Sequence, residues 1–199
     1  MKFARFRDGA LVGHGRLPLD APAHAFPESQ TWVAVSVNAP VLERLRAECA
    51  TLHVVGEDVA APIAVAYDPP EACGLDRVLG VVGAFDRFAD AQSVVLFDAG
   101  TCLTATLATR ADGVLGGAIL PGPDLMARAL HDGTAALPWV EPNAPRATIG
   151  KTTEESIRVG IDAAAVGATM ELARRFAGEL AQDPLVVATG TGGPALAAA

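Results

Sequence analysis

Residues 98 to 104 combine residue types that can hold a phosphate group. Asp98 ends an apolar run that begins at Val94, and Gly100 and Thr101 follow it. A carboxylate at the end of a buried strand can hold Mg²⁺ through water, while backbone N–H groups and a hydroxyl approach phosphate oxygens. Gly100 permits that approach because it has no Cβ. The pattern D-x-G-T is also typical of an ordinary hairpin turn, so both interpretations stay open at this point.

A second group of residues places paired glycines inside a predicted strand. Gly116 and Gly117 interrupt an apolar run, and such glycines usually mark a bulge or a place where a backbone or a ligand comes close. Pro121 and Gly122 then precede a predicted helix whose N-terminus can face an anion. The two patterns together, at this distance, are much more specific than either one alone.

Asp76 and Arg77 lie in the first turn of a predicted helix. Adjacent side chains on a helix point in different directions, so the two residues need not pair with each other. Asp76 could simply complement the helix dipole. Alternatively, Asp76 is a base for a substrate hydroxyl and Arg77 is a clamp for a substrate carboxylate, which suits the fork geometry of arginine.

The elements that position these residues alternate between strands and helices. Short runs of apolar and β-branched residues predict strands at 2–7, 10–17, 31–37, 52–55, 63–67, 94–98, 102–108, 114–120 and 185–188. Apolar residues at helical spacing predict helices at 40–49, 75–89 and 124–131, and a long one that follows a capping box at Thr152 and Glu155 and reaches about residue 180. The pattern predicts an α/β fold with mixed strand directions.

Composition narrows the class of protein. The 199 residues contain no apolar stretch near the roughly 20 residues of a membrane helix, and the first residues lack the apolar core of a signal peptide. Three widely spaced cysteines are read as reduced thiols, and the four histidines show no metal-ligand spacing. The net charge of −8 disfavours nucleic acid. We therefore expect a cytoplasmic protein with neither a nucleic-acid nor a membrane partner.

The motifs taken together resemble those of the type III pantothenate kinases. The matching patterns are Y-x-x-P-x-x-x-G-x-D-R at 67–77, D-x-G-T-x-x-T at 98–104, G-G-x-I-x-P-G at 116–122, L-x-x-x-T-A-x-L-P at 130–138, G-x-x-T at 150–153 and T-G-G at 191–193. The resemblance covers about residues 2 to 193, and the joint specificity of its motifs is high.

The resemblance implies a fold and an activity. The fold is the duplicated ribonuclease-H-like α/β fold of the actin-like ATPase superfamily, with mixed sheets and with halves at 1–91 and 92–199. The activity is ATP-dependent phosphorylation of pantothenate to 4'-phosphopantothenate, the first step of coenzyme A biosynthesis, by a homodimer. The cofactors implied are ATP, Mg²⁺ and a monovalent cation, K⁺ or NH₄⁺.

The resemblance also implies roles for individual residues. Asp76 matches the catalytic base. The pantothenate contacts that match are Tyr67, Gly74, Arg77 and Thr153. The contacts to ATP and its phosphates that match are Lys2, Asp98, Gly100, Thr101, Thr104, Gly192 and Gly193, and Asp98 is also the expected metal ligand.

Three departures from the family pattern shape the expectations. The pattern begins with a strand and D-x-G-N-[TS]-x-x-K, of which only Lys2 has a counterpart here, and it continues beyond Gly193 with a further helix and a closing segment. It also has an aspartate where this chain has Thr106. We therefore expect a chain truncated at both ends relative to the pattern, with little kinase activity of its own. The alternative is a catalytically inactive homologue that acts as a binding or regulatory protein.

Overall fold

A computed structural model of the chain describes residues 2–21, 30–35, 38–142 and 148–198, with only the backbone of Lys2. The chain divides into two compact units, Met1–Ala61 and Pro62–Ala199. In the described ranges every helix is too short or too polar to span a lipid bilayer. The mixed α/β architecture predicted from the sequence is confirmed, whereas its division into halves at residue 91 stays a prediction.

The first unit begins with an antiparallel hairpin of β1 (Lys2–Arg7) and β2 (Ala10–Arg16). Asp8 and Gly9 connect the strands with φ values of 51° and 78°. Two consecutive residues with positive φ match the twist of a tight hairpin, and aspartate followed by glycine is the preferred pair for such a turn. The two predicted strands are confirmed to within one residue.

A short β-α-β segment completes the first unit. Strand β3 (Trp32–Ala34) pairs in parallel with β4 (Leu52–Val54), and helix α1 (Ala39–Glu48) connects them. The side chain of Asn38 accepts the N–H of Val41 at 3.2 Å and so caps the helix. Strand β3 is shorter than predicted, and residues 36 and 37 of that prediction lie outside the described residues.

The second unit is built on a four-stranded mixed sheet. Its strands are β5 (Ser93–Ala99), β6 (Cys102–Thr109), β7 (Gly113–Pro121) and β8 (Leu185–Thr189), in the order β7-β6-β5-β8. Strand β5 is antiparallel to β6 and parallel to β8, and β6 is antiparallel to β7. Strand β5 contains an unbroken run of buried residues because it lies inside the sheet and helices cover both of its faces.

Helices cover the two faces of this sheet. They are α2 (Leu75–Arg87), α3 (Pro123–Asp132), α4 (Thr153–Ala177) and α5 (Gly193–Ala197). A 3-10 turn at Pro70–Ala72 precedes α2. Helix α2 packs on one face, where Gly80 leaves room for the side chain of Leu96. On the other face, Leu172 and Phe176 of α4 pack against the core formed by Val95 and Phe97.

The capping box at the start of α4 forms with one variation. Thr152 accepts the N–H of Glu155 at 3.2 Å, as predicted. The carboxylate of Glu155 accepts the N–H of Lys151 at 2.8 Å, one residue before the capping threonine. The helix ends at Ala177, three residues before the predicted end, because Gly178 follows and favours termination over propagation.

The predicted strand at residues 63–67 is wrong. Only a single parallel bridge forms, between Val65 and Val114. Ala66 donates its N–H to the Val114 carbonyl at 2.8 Å, and Val114 donates its own to Ala64 at 2.9 Å. Prolines at 62, 69 and 70 lack the N–H group that a longer ladder would need. The apolar run is thus too closely bounded by prolines to extend its pairing.

Candidate active site

Asp98 and Thr104 lie directly opposite each other where β5 and β6 meet in a tight loop. Gly100 donates its N–H to the carbonyl of Cys102 at 2.9 Å and so closes the loop. Asp98 is half-buried, whereas Thr101 is exposed at the tip. The predicted loop of residues 98 to 104 therefore presents a carboxylate, two hydroxyls and backbone groups on one small surface.

The start of α3 lies against this loop. Gly122 donates its N–H to the carbonyl of Thr101 at 2.9 Å, and a Cβ at residue 122 would collide with the carbonyls of Gly100 and Thr101. Glycine is therefore required for the approach. The positive end of the helix dipole stands beside the loop, which favours an anion there.

The turn before α5 approaches the same loop from the β8 side. Gly192 donates its N–H to the Ala99 carbonyl at 3.0 Å, and Gly193 donates to Gly190 at 3.2 Å. Gly190 has a φ of +83°, and a Cβ there would meet the carboxylate of Asp98 and the carbonyl of Ala99. The structure thus brings together the predicted residues of 98–101 with Gly192, and it places Gly193 one residue further, at the start of α5.

Arg77 is a buried arginine that reaches from α2 to the sheet. Its Nε donates to the Thr106 hydroxyl at 3.1 Å and its Nη2 donates to the Ala105 carbonyl at 3.2 Å. Its guanidinium also lies 5.5 Å from the ring centroid of Tyr67. These contacts fix the orientation of the guanidinium, and the side chain is only 7% exposed.

The register of the sheet places Arg77 and the loop on the same face. Side chains alternate along a strand, so Asp98 on β5 shares a face with Thr104 and Thr106 on β6. Arg77 meets Thr106 on this face, and Thr106 is two residues along β6 from Thr104. The loop of residues 98 to 104 and the buried guanidinium therefore border one surface of the second unit.

Asp76 is exposed whereas its neighbour Arg77 is buried, which agrees with the different directions expected of adjacent side chains on a helix. Its carboxylate is exposed and folds back over Gly74, where a Cβ would lie 2.5 Å from Asp76 Oδ1. Cys73 lies just before this pair, and burial, with a smaller effect of the Asp76 charge, raises the pKa of its thiol despite the opposing charge of Arg77. Gly74 thus allows the carboxylate of Asp76 to sit at the very start of α2.

Two predicted residues lie apart from this arrangement or cannot be placed in it. Thr153 begins α4, and the first turns of that helix pack with α3 through Ile157 and Ala127. Among the described residues, no hydrogen bond joins Thr153 to Arg77. The side chain of Lys2 lies outside the described part of the chain.

A comparison with known protein families identifies the family of this chain. Residues 16–175 match the family model of type III pantothenate kinases. The chain belongs to the type III pantothenate kinase family. It is 32% identical over 170 residues to the type III pantothenate kinase of Syntrophotalea carbinolica, and the aligned segment covers 83% of this chain and 66% of the relative. It is 37% identical over 143 residues to the type III pantothenate kinase of Anaeromyxobacter dehalogenans, and this alignment covers 72% of this chain and 56% of the relative.

Two further facts bound what these relatives imply. The chain spans about half to two thirds of the length of the curated type III pantothenate kinases that it matches. A solved structure from Campylobacter jejuni, of a conserved protein described as a Baf family transcriptional activator, superposes with a TM-score of 0.59 at 19% identity. That superposition covers 85% of this chain and 72% of the other and shows a shared fold.

Sequence reasoning did not predict that Ala105, Thr106 and Gly117 would surround Arg77. Thr106 and the Ala105 carbonyl hold the guanidinium, and Gly117, opposite Thr106 on β7, leaves room for it. Ile119, opposite Thr104, is 65% exposed on the same side of β7 and adds an apolar surface. The paired glycines signalled a close approach, but the sequence did not indicate which group would come close.

Proposed function

We propose that this chain phosphorylates pantothenate to 4'-phosphopantothenate at the expense of ATP, the first step of coenzyme A biosynthesis. One observation carries the proposal: Asp98 and Thr104 of the loop share a sheet face with the buried Arg77. ATP phosphates at the loop and a carboxylate substrate at Arg77 would then lie on one surface. Phosphoryl transfer depends mainly on such positioning and on electrostatic stabilisation.

Arg77 is proposed to bind the pantothenate carboxylate. Two of its nitrogens donate to β6, and within the described residues its Nη1 makes no hydrogen bond. In the described ranges, every fully buried side-chain nitrogen or oxygen has a hydrogen-bond partner. Because Nη1 has none, it must be accessible to solvent. Tyr67, which stacks against the guanidinium, and Gly74 complete the proposed pocket on this side. Thr153 remains a proposed contact from α4.

Asp76 is proposed to accept the proton of the pantothenate hydroxyl. Its carboxylate is exposed at the first turn of α2, one residue from Arg77. A substrate held at its carboxylate by Arg77 could therefore present its other end to Asp76. A positioned general base contributes about 10² to 10⁴ in rate.

The loop of residues 98 to 101, with Thr104 and Gly192, is proposed to bind the ATP phosphates, and Gly193 and Lys2 are proposed to add contacts. The half-buried carboxylate of Asp98 fits Mg²⁺, which takes one or two protein carboxylates together with substrate phosphates. When bound, Mg²⁺ would neutralise charge on those phosphates. The loop's backbone N–H groups and the dipole of α3 would orient the nucleotide from the protein side.

The assembly and location are also proposals. We propose two ribonuclease-H-like halves and a cytoplasmic homodimer in which α2 and the helices of the half at 92–199 contribute to the contact. Phe88, just after α2, is 41% exposed and Met170 on α4 is 67% exposed, and both would gain from burial against a second copy. Light scattering at micromolar concentration that detects only a 20 kDa species would reject the homodimer.

The test of the function is turnover of ATP and pantothenate with Mg²⁺ by the protein and by two matched variants of α2. In the full-length protein, Asp76→Asn is expected to lower the turnover rate by about 10² or more while pantothenate binding stays within about tenfold. Asp86→Asn removes another exposed carboxylate of the same helix and is expected to leave turnover unchanged. Equal turnover by both variants would remove Asp76 from the mechanism. Pantothenate binding without turnover by the full-length protein without substitutions would favour the inactive homologue.

A further inference from the structure

Uncharged groups hold the guanidinium of Arg77 in the fold. The side chain is only 7% exposed. Its Nε donates to the hydroxyl of Thr106 at 3.1 Å, its Nη2 donates to the carbonyl of Ala105 at 3.2 Å, and the ring of Tyr67 lies 5.5 Å away. Among the described residues, Arg77 takes part in no ion pair with a carboxylate. In this part of the chain, its positive charge is therefore held in place without a negative charge in contact with it.

Thr106 occupies a position at which a charged side chain would change this balance. It is 1% exposed and contacts the guanidinium directly. A carboxylate at this position would lie close to Arg77 Nε and, because water is largely excluded there, would cancel much of the positive field. The threonine hydroxyl accepts a hydrogen bond but carries no charge. Thr106 thus orients the guanidinium and leaves its charge to be balanced by a ligand.

One nitrogen of the guanidinium is available for such a ligand. Nη1 makes no hydrogen bond within the described ranges and is accessible to solvent. Gly117, opposite Thr106 on β7, places no side chain against the guanidinium, and a Cβ there would collide with Nη2. A buried charge without a counter-charge is unfavourable. A bound carboxylate removes that cost, whereas an uncharged ligand of similar shape leaves most of it in place.

We infer that Thr106 is a positioning residue that makes the Arg77 site selective for anionic ligands. Its hydroxyl fixes the guanidinium without neutralising it. The site therefore takes a small monocarboxylate and binds an uncharged analogue much more weakly. The choice of pantothenate as that carboxylate rests on the proposed function, whereas the selectivity for a carboxylate over an uncharged group does not.

The main experiment compares the dissociation constants of pantothenate and pantothenol by isothermal titration calorimetry. Pantothenol has a hydroxymethyl group in place of the carboxylate. The unaltered chain and Thr106→Ser, which keeps the hydroxyl, should bind pantothenate about tenfold or more tightly than pantothenol, as expected for a charged hydrogen bond. Thr106→Asp should bring this ratio close to one by weakening pantothenate binding alone. Thr106→Asn has nearly the shape of the aspartate without its charge, so this matched control should keep the preference for pantothenate.

A simple carboxylate tests the same charge without pantothenate. Thermal unfolding midpoints are measured in sodium propionate and in sodium chloride at one ionic strength. Because a ligand that binds the folded state stabilises it, propionate should raise the midpoint of the unaltered chain above its value in chloride. The difference should be absent from Thr106→Asp, since the introduced carboxylate already balances the guanidinium.

The outcomes separate this inference from the proposed function. Equal weakening of both ligands by Thr106→Asp, or the same ratio in Thr106→Asp and Thr106→Asn, would indicate a purely structural role and overturn the inference. A chain that binds neither pantothenate nor pantothenol but is stabilised by propionate contradicts the proposed function alone. Without stabilisation by propionate, such a chain contradicts both.

A further variant decides the question if Thr106→Asp fails to fold. Thr106→Val keeps the size of the side chain and removes the oxygen that accepts from Arg77 Nε. It should weaken pantothenate binding more than pantothenol binding, and Thr106→Ser should not. Equal affinities of the unaltered chain for the two ligands, or a valine variant with the same preference as the unaltered chain, would overturn the inference.

Discussion

Gly117 lies directly opposite Thr106 in the antiparallel pair of β6 and β7, and the space beside it holds the guanidinium of Arg77. A glycine, a threonine and an arginine from three different elements thus form one contact. Because the guanidinium is the proposed carboxylate clamp, the size of residue 117 should control both stability and substrate binding.

The first prediction concerns the size of residue 117. Gly117→Ala is expected to displace both the Ala105 carbonyl and the guanidinium of Arg77, because the added methyl group would collide with both. Overpacking of this kind costs about 1–3 kcal/mol in the free energy of unfolding, and pantothenate binding should weaken by about tenfold or more. Urea denaturation and isothermal titration calorimetry measure the two effects.

Gly116→Ala is the matched control for this prediction. A Cβ at Gly116 meets no atom within 4 Å, although the residue is adjacent on the same strand. We expect its stability and pantothenate affinity to remain near those of the unaltered protein. Equal effects of the two substitutions would show that β7 rejects any added methyl group and that the contacts of residue 117 with Ala105 and Arg77 are not the reason.

The second prediction uses Cys102 as a reporter of nucleotide binding. Its thiol is exposed at the start of β6, whereas Cys49 and Cys73 are buried and burial raises the pKa of both thiols. Iodoacetamide should therefore modify Cys102 first, and ATP with Mg²⁺ should slow that modification. Mass spectrometry of the labelled protein measures the rates.

Two controls accompany the labelling experiment. Cys102→Ser should abolish the rapid phase, and adenosine, which has no phosphates, should protect less than ATP. A labelling rate that saturating ATP and Mg²⁺ leave unchanged would place the nucleotide elsewhere than at the loop of residues 98 to 101.

The third prediction concerns the cap of α4. Thr152→Ala removes the hydroxyl that accepts the N–H of Glu155 and is expected to lower the free energy of unfolding by about 1 kcal/mol. Thr152→Ser keeps the hydroxyl and should retain most of the stability. Chemical denaturation measures both, and an alanine variant as stable as the serine variant would mean that solvent replaces the cap without loss.

The fourth prediction is a dependence on pH. Hydrogen bonds from Arg174, and then from Arg175, lower the pKa of Glu171 from 4.5 to about 2. Because this pKa is lower in the folded protein, the ionised carboxylate stabilises the fold above about pH 4.5, and that contribution is lost as the pH falls towards 2. The side chains are exposed, so the contribution should be small and weaken with salt.

Carbon-detected NMR of the Glu171 carboxyl tests this dependence directly. A titration midpoint near 2 is expected for the unaltered protein. Replacing Arg174 and Arg175 by glutamine should move the midpoint towards 4.5. A midpoint near 4.5 in the unaltered protein would show that the arginines do not stay on the carboxylate in solution.

Local patterns in the sequence predicted local structure well. The buried run that ends at Asp98 and the glycine after it predicted the strand and its loop, because burial and turn geometry depend on neighbouring residues. The capping box at Thr152 was predictable for the same reason. The run at 63–67 misled because its apolar residues suggested a strand that the flanking prolines do not allow.

Contacts between distant residues were not predictable. Arg77 and Thr106 meet only because β6 lies under α2 and its register turns Thr106 to that face. A shift of one residue would turn Thr106 to the α4 face. The family resemblance assigned Arg77 and Thr153 to one substrate, and the sequence predicted that they begin two different helices. Nothing in the sequence indicated that these helices pack in different places.

The parallel pairing of β5 with β8 has a consequence for how the second unit folds. The strands β5, β6 and β7 follow one another through short turns, whereas β5 and β8 join residues roughly 90 positions apart in the chain. Closing so long a loop costs more entropy than forming the local strand pairs, so the three-stranded meander should form first. Strand β8 and the turn at Gly192 would then be the last parts to dock and the first to open, and amide hydrogen exchange there should be correspondingly fast.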